Sequence, residues 1–298
     1  MTEDKIIYPI IIIGAGPAGI ATAIQLKRSG IAPLLIEKNE CGGLLKSAFL
    51  IENLPGYYRG ISGKEITSKF KKHLDNLNIS PLYDEVQNIS YDNQKRLFIL
   101  STRERLLNGK IIVMATGLEH RKPNIIDKLS TEIKEHIYFD IYNLNQPKDK
   151  DILIVGAGDV AFDYALNLSR ENRVIIINRG KKIKAIKILQ ERSYKKPIIY
   201  KENTIIKDIS LKNNTLKIIM LTNTQELEMY FDIVLYAIGR EKKLLLSSQI
   251  LKKRLELQAD KVLYFIGDIA NENFRQSSIA MGDGIKAAME IYKKLKIN

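Results

Sequence analysis

The chain opens on a largely apolar run, Ile6 to Ile13, followed by glycines at 14, 16 and 19, a stretch of mixed apolar and polar residues, and a second apolar run ending at Glu37. Short apolar runs bounded by turn residues read as buried strands and the mixed stretch as an amphipathic helix, so the order predicts a βαβ unit. The same order returns in "DILIVGAGDVAFDYALNLSRENRVIIINRG", with Gly156, Gly158 and Ala161 at the turn and the second strand expected to end at Arg179. Between the two units, "SGKEITSKFKKHLDNL" begins with a capping box, Ser62 and Glu65, and puts Ile66, Phe70, Leu74 and Leu77 on one helical face. Alternating positions around 86–102 and 205–221 predict β-hairpins or meanders.

The glycines give the two units a chemical meaning. A G-x-G-x-x-G turn between strand and helix lets the backbone turn tightly and approach a pyrophosphate, whose charge sits at the helix N-terminus. Glu37, at the end of its strand, can accept from ribose hydroxyls. Arg179 follows Gly156 by the same count as Glu37 follows Gly14, so a base replaces the acid. A base suits a 2′-phosphate, with Lys181, Lys182 and Lys184 close by, and the second unit is therefore expected to take NADPH over NADH.

Composition narrows the class. With 298 residues and 45% hydrophobic content, the chain can bury the cores of two ordinary domains. Ile6 to Ile13 is shorter than the roughly 20 residues that span a bilayer, and no small-residue cleavage site follows it, so no membrane is expected and the cytoplasm is the default. A single cysteine, Cys41, excludes an intramolecular disulfide and a C-x-x-C pair. His73, His120 and His136 show no metal-ligand spacing, so no metal is expected. The net charge of +13 comes from lysines spread along the chain without interleaved aromatics, which argues against nucleic acid and reads first as a generally basic, solvated surface, with an acidic electron-carrier protein as the alternative.

Four further segments, "GGLLKSAFLIENLPG", "IIVMATG", "DIVLYAIGR" and "YFIGDIANENFRQSSIAMGDGIKAA", lie in order around the two fingerprints, and with them the chain resembles the thioredoxin reductase family of flavoproteins over essentially its whole length. The resemblance implies an α/β fold of two Rossmann-like dinucleotide-binding domains (three-layer ββα), with an NADPH domain inserted in an FAD domain. The boundaries are expected near Gly117 and Gly239, giving 1–117 and 240–298 for FAD and 118–239 for NADPH. It places FAD beside Gly14, Gly16, Pro17, Ala18, Gly19, Glu37 and Lys38, with Gly43, Leu44, Asn53 and Val86 lining the flavin side. Thr116 and Gly117 fall at the first crossover, Gly267 and Asp268 near the ribityl and pyrophosphate, and Arg275 and Gln276 beside the isoalloxazine. For NADPH it implies Gly156, Gly158, Asp159, Val160, Ala161, Arg179 and Lys184. The helix starting after "RQ" would aim its N-terminal dipole at the flavin pyrimidine and stabilise negative charge there. A homodimer is implied as well.

One departure matters most. The segment where that family carries its redox disulfide reads "FDIY" here, with Phe139 and Tyr142 in the cysteine places. Hydride transfer from NADPH to FAD needs no cysteine, only C4 of the nicotinamide held against N5 of the flavin, so no catalytic side chain is expected. The link before the second fingerprint partly resembles the thioredoxin-reductase-like ferredoxin-NADP reductases. The expected function is therefore an FAD-dependent NADPH oxidoreductase passing electrons to ferredoxin, flavodoxin or another acceptor. Two alternatives stay open: a disulfide reductase using an external dithiol or Cys41, and a flavin-binding redox sensor.

Overall fold

The computed structural model describes residues 6–223, 225–271 and 273–297. The chain divides into two compact units, one made of residues up to Lys46, Ile51–Leu118 and Lys242 onward, the other of Ser47–Leu50 and Glu119–Glu241. The second is thus inserted within the sequence of the first.

In the first unit, strand β1 (Ile7–Ile13) leads into helix α1 (Pro17–Arg28) and strand β2 (Leu34–Glu37). Helix α2 (Gly63–Asn76) starts at Ser62, whose Oγ accepts from the Glu65 amide at 3.1 Å, while the Glu65 carboxylate turns to Lys69 at 3.2 Å. Only half of the expected capping box closes this way, and the other half becomes an i,i+4 ion pair. Strands β3 (Leu82–Tyr83), β4 (Val86–Asp92), β5 (Leu97–Thr102) and β6 (Leu106–Met114) follow, with β4, β5 and β6 forming the antiparallel meander that the alternation predicts.

The inserted unit runs through β7 (Glu119–His120), the single-turn α3 (Thr131–Lys134), β8 (Ile137–Tyr138), β9 (Asp151–Val155), α4 (Asp159–Leu168), β10 (Arg173–Ile177), α5 (Lys187–Tyr194) and β11 (Ile198–Lys201). A second meander, β12 (Thr204–Lys212), β13 (Thr215–Thr222) and β14 (Gln225–Phe231), precedes β15 (Ile233–Tyr236) and β16 (Arg240–Glu241), and β16 pairs with β7. Its main sheet is parallel, in the order β11-β10-β9-β15-β8. The chain then returns to the first unit with α6 (Ser248–Ala259), β17 (Leu263–Phe265) and α7 (Ser277–Ile297). In that unit β1 lies between β2 and β6, all parallel, and β17 joins β6 in parallel.

The near-continuous apolar runs are explained by burial on both sheet faces. In β1, Ile10 and Ile12 join a core with Ala23 and Leu26 of α1, Leu74 of α2 and Ala288 and Ile291 of α7. Ile11 and Ile13 point the other way, onto Phe98 and Leu100 of the meander and Ile250 of α6. The inserted unit repeats the arrangement: Ile152 and Ile154 meet Phe162 of α4, while Leu153, Ile175 and Ile177 meet Ile218 and Phe231 of its meander. In the inserted unit the parallel sheet thus lies between helices and the separate β12–β14 meander, whereas in the first unit the meander continues the parallel sheet through β6 and packs with α6 on the face opposite α1 and α7. Among the described residues, no helix is long and apolar enough to cross a membrane.

Helices α1 and α7 cross almost backbone to backbone. A Cβ added at Gly284 of α7 would lie 2.3 Å from the Ala18 carbonyl oxygen of α1. The fully buried Thr22 hydroxyl bridges the crossing, reaching the carbonyls of Ala18 at 2.9 Å and Gly284 at 3.2 Å. Alanine favours a helix over glycine by about 1 kcal/mol, but here its methyl would push the helices apart. Gly284→Ala is expected to lower stability by about 1–3 kcal/mol, measured by urea unfolding. A stabilised variant would contradict the crossing.

Candidate functional site

In the first unit the glycine turn is set by close approach of its own backbone. Gly14 sits at φ +102°, its amide donates to the Ile36 carbonyl at 2.8 Å, and a Cβ on it would lie 2.4 Å from the Ala115 carbonyl oxygen. A Cβ at Gly19 would lie 1.9 Å from the Gly14 oxygen. Gly16 differs, since nothing lies within 4 Å of its missing Cβ. It is also the N-cap of α1, where no side chain caps the helix and Pro17 occupies the first turn. The first-turn amides beyond Pro17 thus have no capping side chain, an arrangement that can receive an anionic group.

The surrounding residues converge on this turn. Glu37, 8% exposed, accepts from the Ala15 amide through Oε2 at 2.7 Å and from the Asn39 amide through Oε1 at 3.0 Å, leaving lone pairs on both oxygens for ribose hydroxyls. The loop from Cys41 folds over the turn, with the Gly42 amide donating to Ala15 oxygen at 2.7 Å and Gly43 close against Gly16. Leu44 is half-buried in the single 3₁₀ turn that follows. Gly267 packs against Ala18. Its amide donates to Asp283 of α7 at 3.1 Å, and Asn271 donates to the same carboxylate oxygen at 2.7 Å, which fixes the turn carrying Asp268.

Thr116, beside Gly117 at the end of the β6 crossover, has a buried Oγ1 without a hydrogen-bond partner among the described residues, and so does the Ser278 Oγ at the start of α7. Buried hydroxyls are seldom left so, and these suit a bound ligand. Ser278, Asn271 and Asp283 escaped the sequence reading. The one hint for Asp283 was an acid between two glycines inside an otherwise apolar helix. Val86 is buried two residues past Asp84, whose carboxylate accepts from Thr102 Oγ1 at 2.6 Å and the Glu85 amide at 2.8 Å. Burial pushes the Asp84 carboxyl up, but these donors and Arg105 outweigh it and hold it below its ordinary range. Arg275 and Gln276 just before α7, Asn53 in the Glu52–Tyr58 loop, and Lys38 are exposed.

The inserted unit builds the same turn from different residues. Gly156 lies at φ +135°, its amide donates to Ile177 oxygen at 2.9 Å, and its missing Cβ would lie 2.3 Å from Ala237 oxygen. Gly158, like Gly16, faces open space and caps its helix without a side chain. Ala161 is fully buried where the first unit needs Gly19. Asp159, ahead of the half-buried Val160, accepts from the Ile186 amide at 2.8 Å. The amides of Lys184 and Ala185 donate to Ala157 oxygen at 2.8 and 3.1 Å, so the loop after β10 curls back over the turn.

The structure departs from the sequence expectation at two points. Strand β10 ends at Ile177, not at Arg179. The ladders pair Ile13 with Ile36 in the first unit and Val155 with Ile177 in the second, and the second span is one residue shorter because α4 and the turn after it are shorter. Asn178, not Arg179, therefore holds the place of Glu37. Arg179 falls one step later, on the exposed loop that also carries Lys181, Lys182 and Lys184.

Phe139 lies just past β8, its ring stacked on Tyr236 with centroids 5.9 Å apart, while Tyr142 is 41% exposed. Cys41 is buried with its Sγ 3.8 Å from the Tyr83 hydroxyl. Burial pushes the Cys41 thiol up, and although the Tyr83 contact works against it, the net shift is upward.

A family model described as pyridine nucleotide-disulphide oxidoreductase matches residues 8–284. The chain belongs to that family. It is 30% identical to thioredoxin reductase of Mycoplasma pneumoniae, over 98% of this chain and 96% of the relative. It is 27% identical to a 34.2 kDa protein in the rubredoxin operon of Clostridium pasteurianum, over 97% of each. The crystal structure of Lactococcus lactis thioredoxin reductase in its FR conformation superposes with a TM-score of 0.84 at 26% identity, covering 98% of this chain and 100% of that one. This pyridine nucleotide-disulphide oxidoreductase is thus an NAD(P)H-dependent flavoprotein of the thioredoxin reductase family, which uses FAD and NADPH. The bare helix N-termini, Glu37 and the two unsatisfied hydroxyls fit such cofactors.

The raised thiol predicts slow chemistry at Cys41. At pH 8 iodoacetamide should alkylate the folded protein at least about tenfold more slowly than the urea-unfolded chain, because burial disfavours the thiolate. Mass spectrometry of timed samples reads the difference, and equal rates would contradict the burial.

Proposed function

We propose that the first glycine turn holds FAD, the second holds NADPH, and electrons leave through the flavin to an acceptor outside this chain, without an intrachain redox disulfide. The observation that carries this is the lone buried Cys41, together with Phe139 and Tyr142 in the place of the family's disulfide. FAD, when bound, supplies a two-electron acceptor for hydride from the nicotinamide.

The chain's own residues bind and orient. The N-terminus of α1 takes the pyrophosphate, Glu37 the ribose, and the Thr116 and Ser278 hydroxyls gain partners on the flavin nucleotide. Arg275, Gln276 and the start of α7 lie beside the ring, and Gly156, Gly158 and Arg179 with Lys184 take NADPH. No side chain has to move a proton during hydride transfer.

An acidic electron carrier is the proposed acceptor, attracted by the net charge of +13. The relative in the rubredoxin operon favours a carrier over a small disulfide. A homodimer and a cytoplasmic location complete the proposal.

Anaerobic titration with NADPH should bleach the flavin at one equivalent per FAD and consume no second equivalent. Cys41→Ser should keep most NADPH-dependent reduction of an artificial acceptor. Loss of turnover with FAD still bound would overturn the flavin route and promote the thiol. For the nucleotide, NADPH should reduce the flavin faster than NADH, and Arg179→Glu should shrink that ratio about tenfold to a hundredfold, the worth of a charge-assisted hydrogen bond to phosphate. Equal rates in the unmutated protein would show that the basic loop is only solvated surface.

A further inference from the structure

We infer that Asn178, with Tyr200, is the positioning pair that sets 2′-phosphate recognition in the inserted unit, by standing neutral where the first unit carries Glu37 and by shaping the basic loop. This rests on the proposal that the unit holds NADPH. The register gives Asn178 its place. The Gly156 amide bonds Ile177 oxygen as the Gly14 amide bonds Ile36 oxygen, so the next residue is Asn178 in one unit and Glu37 in the other. An acid at this place accepts from the 2′- and 3′-hydroxyls of an unphosphorylated ribose and repels a 2′-phosphate. A neutral amide does neither.

Both protons of the amide are also used. Its Nδ2 donates to the Lys182 carbonyl at 3.1 Å and to the Tyr200 hydroxyl at 2.9 Å, and its Oδ1 accepts from the Gly180 amide at 3.4 Å. Its backbone is pinned on both sides, the amide donating to Lys201 oxygen at 2.9 Å and the carbonyl accepting from Thr204 at 2.8 Å. Tyr200 is held in turn by Phe162 of α4, with ring centroids 6.2 Å apart. The loop from Arg179 to Lys184 is thus stapled at Gly180 and Lys182 to one side chain, and its far end is tied to Ala157 of the glycine turn. Aspartate could keep the bond from Gly180 but has no proton for the Lys182 carbonyl. An Asn178→Asp variant would therefore add the discriminating charge and loosen the basic loop together.

The test uses the full-length protein with FAD bound. Calorimetric titration with 2′-phospho-AMP and with AMP, which differ only in that phosphate, is run on the unmutated protein, Asn178→Asp and Tyr200→Phe, with FAD content and melting temperature as folding checks. The unmutated protein should prefer 2′-phospho-AMP. Asn178→Asp should lose about tenfold to a hundredfold of its affinity for 2′-phospho-AMP while keeping or gaining affinity for AMP. Tyr200→Phe should lose several-fold for 2′-phospho-AMP alone, since one neutral hydrogen bond shapes the loop without carrying charge. Equal losses for both ligands, or an unchanged ratio in both variants while the unmutated protein discriminates, would overturn the role of this pair and leave the NADPH proposal standing. No preference in the unmutated protein would overturn the NADPH proposal, and this inference with it.

Discussion

The architecture rests on backbone packed directly against backbone at the ends of the parallel strands. At Gly14 and Gly19 the approach is so close that any Cβ would overlap a carbonyl, and at Gly156 the same holds against Ala237. That closeness has two consequences. It draws the helix N-terminus down onto the strand ends, where first-turn amides without a capping side chain can face a ligand. It also aligns the neighbouring crossover, so Thr116 and Gly267 arrive beside the same turn.

Gly16 and Gly158 play a different part. Among the described residues, nothing lies within 4 Å of the Cβ that either would carry. The distinction separates glycines held by close backbone contact from those whose Cβ side is open. The α1–α7 crossing extends the first kind: Gly284 lets α7 lie against Ala18, and α7 in turn supplies Asp283, which braces the turn carrying Asp268. A contact in the helical layer thus reaches the site through one carboxylate.

The two units share a plan and diverge where chemistry is decided. Where the first presents buried Glu37, the second presents Asn178 and a basic loop stapled to it. At the segment where the family resemblance implies a redox disulfide, Phe139 stacks on Tyr236. The one thiol, Cys41, begins the loop that covers the first turn, and its burial suits a packing role better than a nucleophilic one.

Much of this was legible in the residues. Apolar runs, glycine spacing, the Ser62 cap and the alternating stretches are local signals, and each element they predicted exists, because strand burial and helix capping depend on neighbours a few residues away. One cysteine in the whole chain excluded intrachain dithiol chemistry by arithmetic. Counting failed where pairing took over: equal sequence intervals put Arg179 opposite Glu37, but a shorter helix and turn shift the register, and only the β9–β10 ladder shows that Asn178 stands there. Ser278, Asn271 and Asp283 were hidden for the same reason. Their roles come from contacts with residues distant along the chain or from burial of a single oxygen, and both are settled by how helices and strands pack rather than by the pattern any one of them carries.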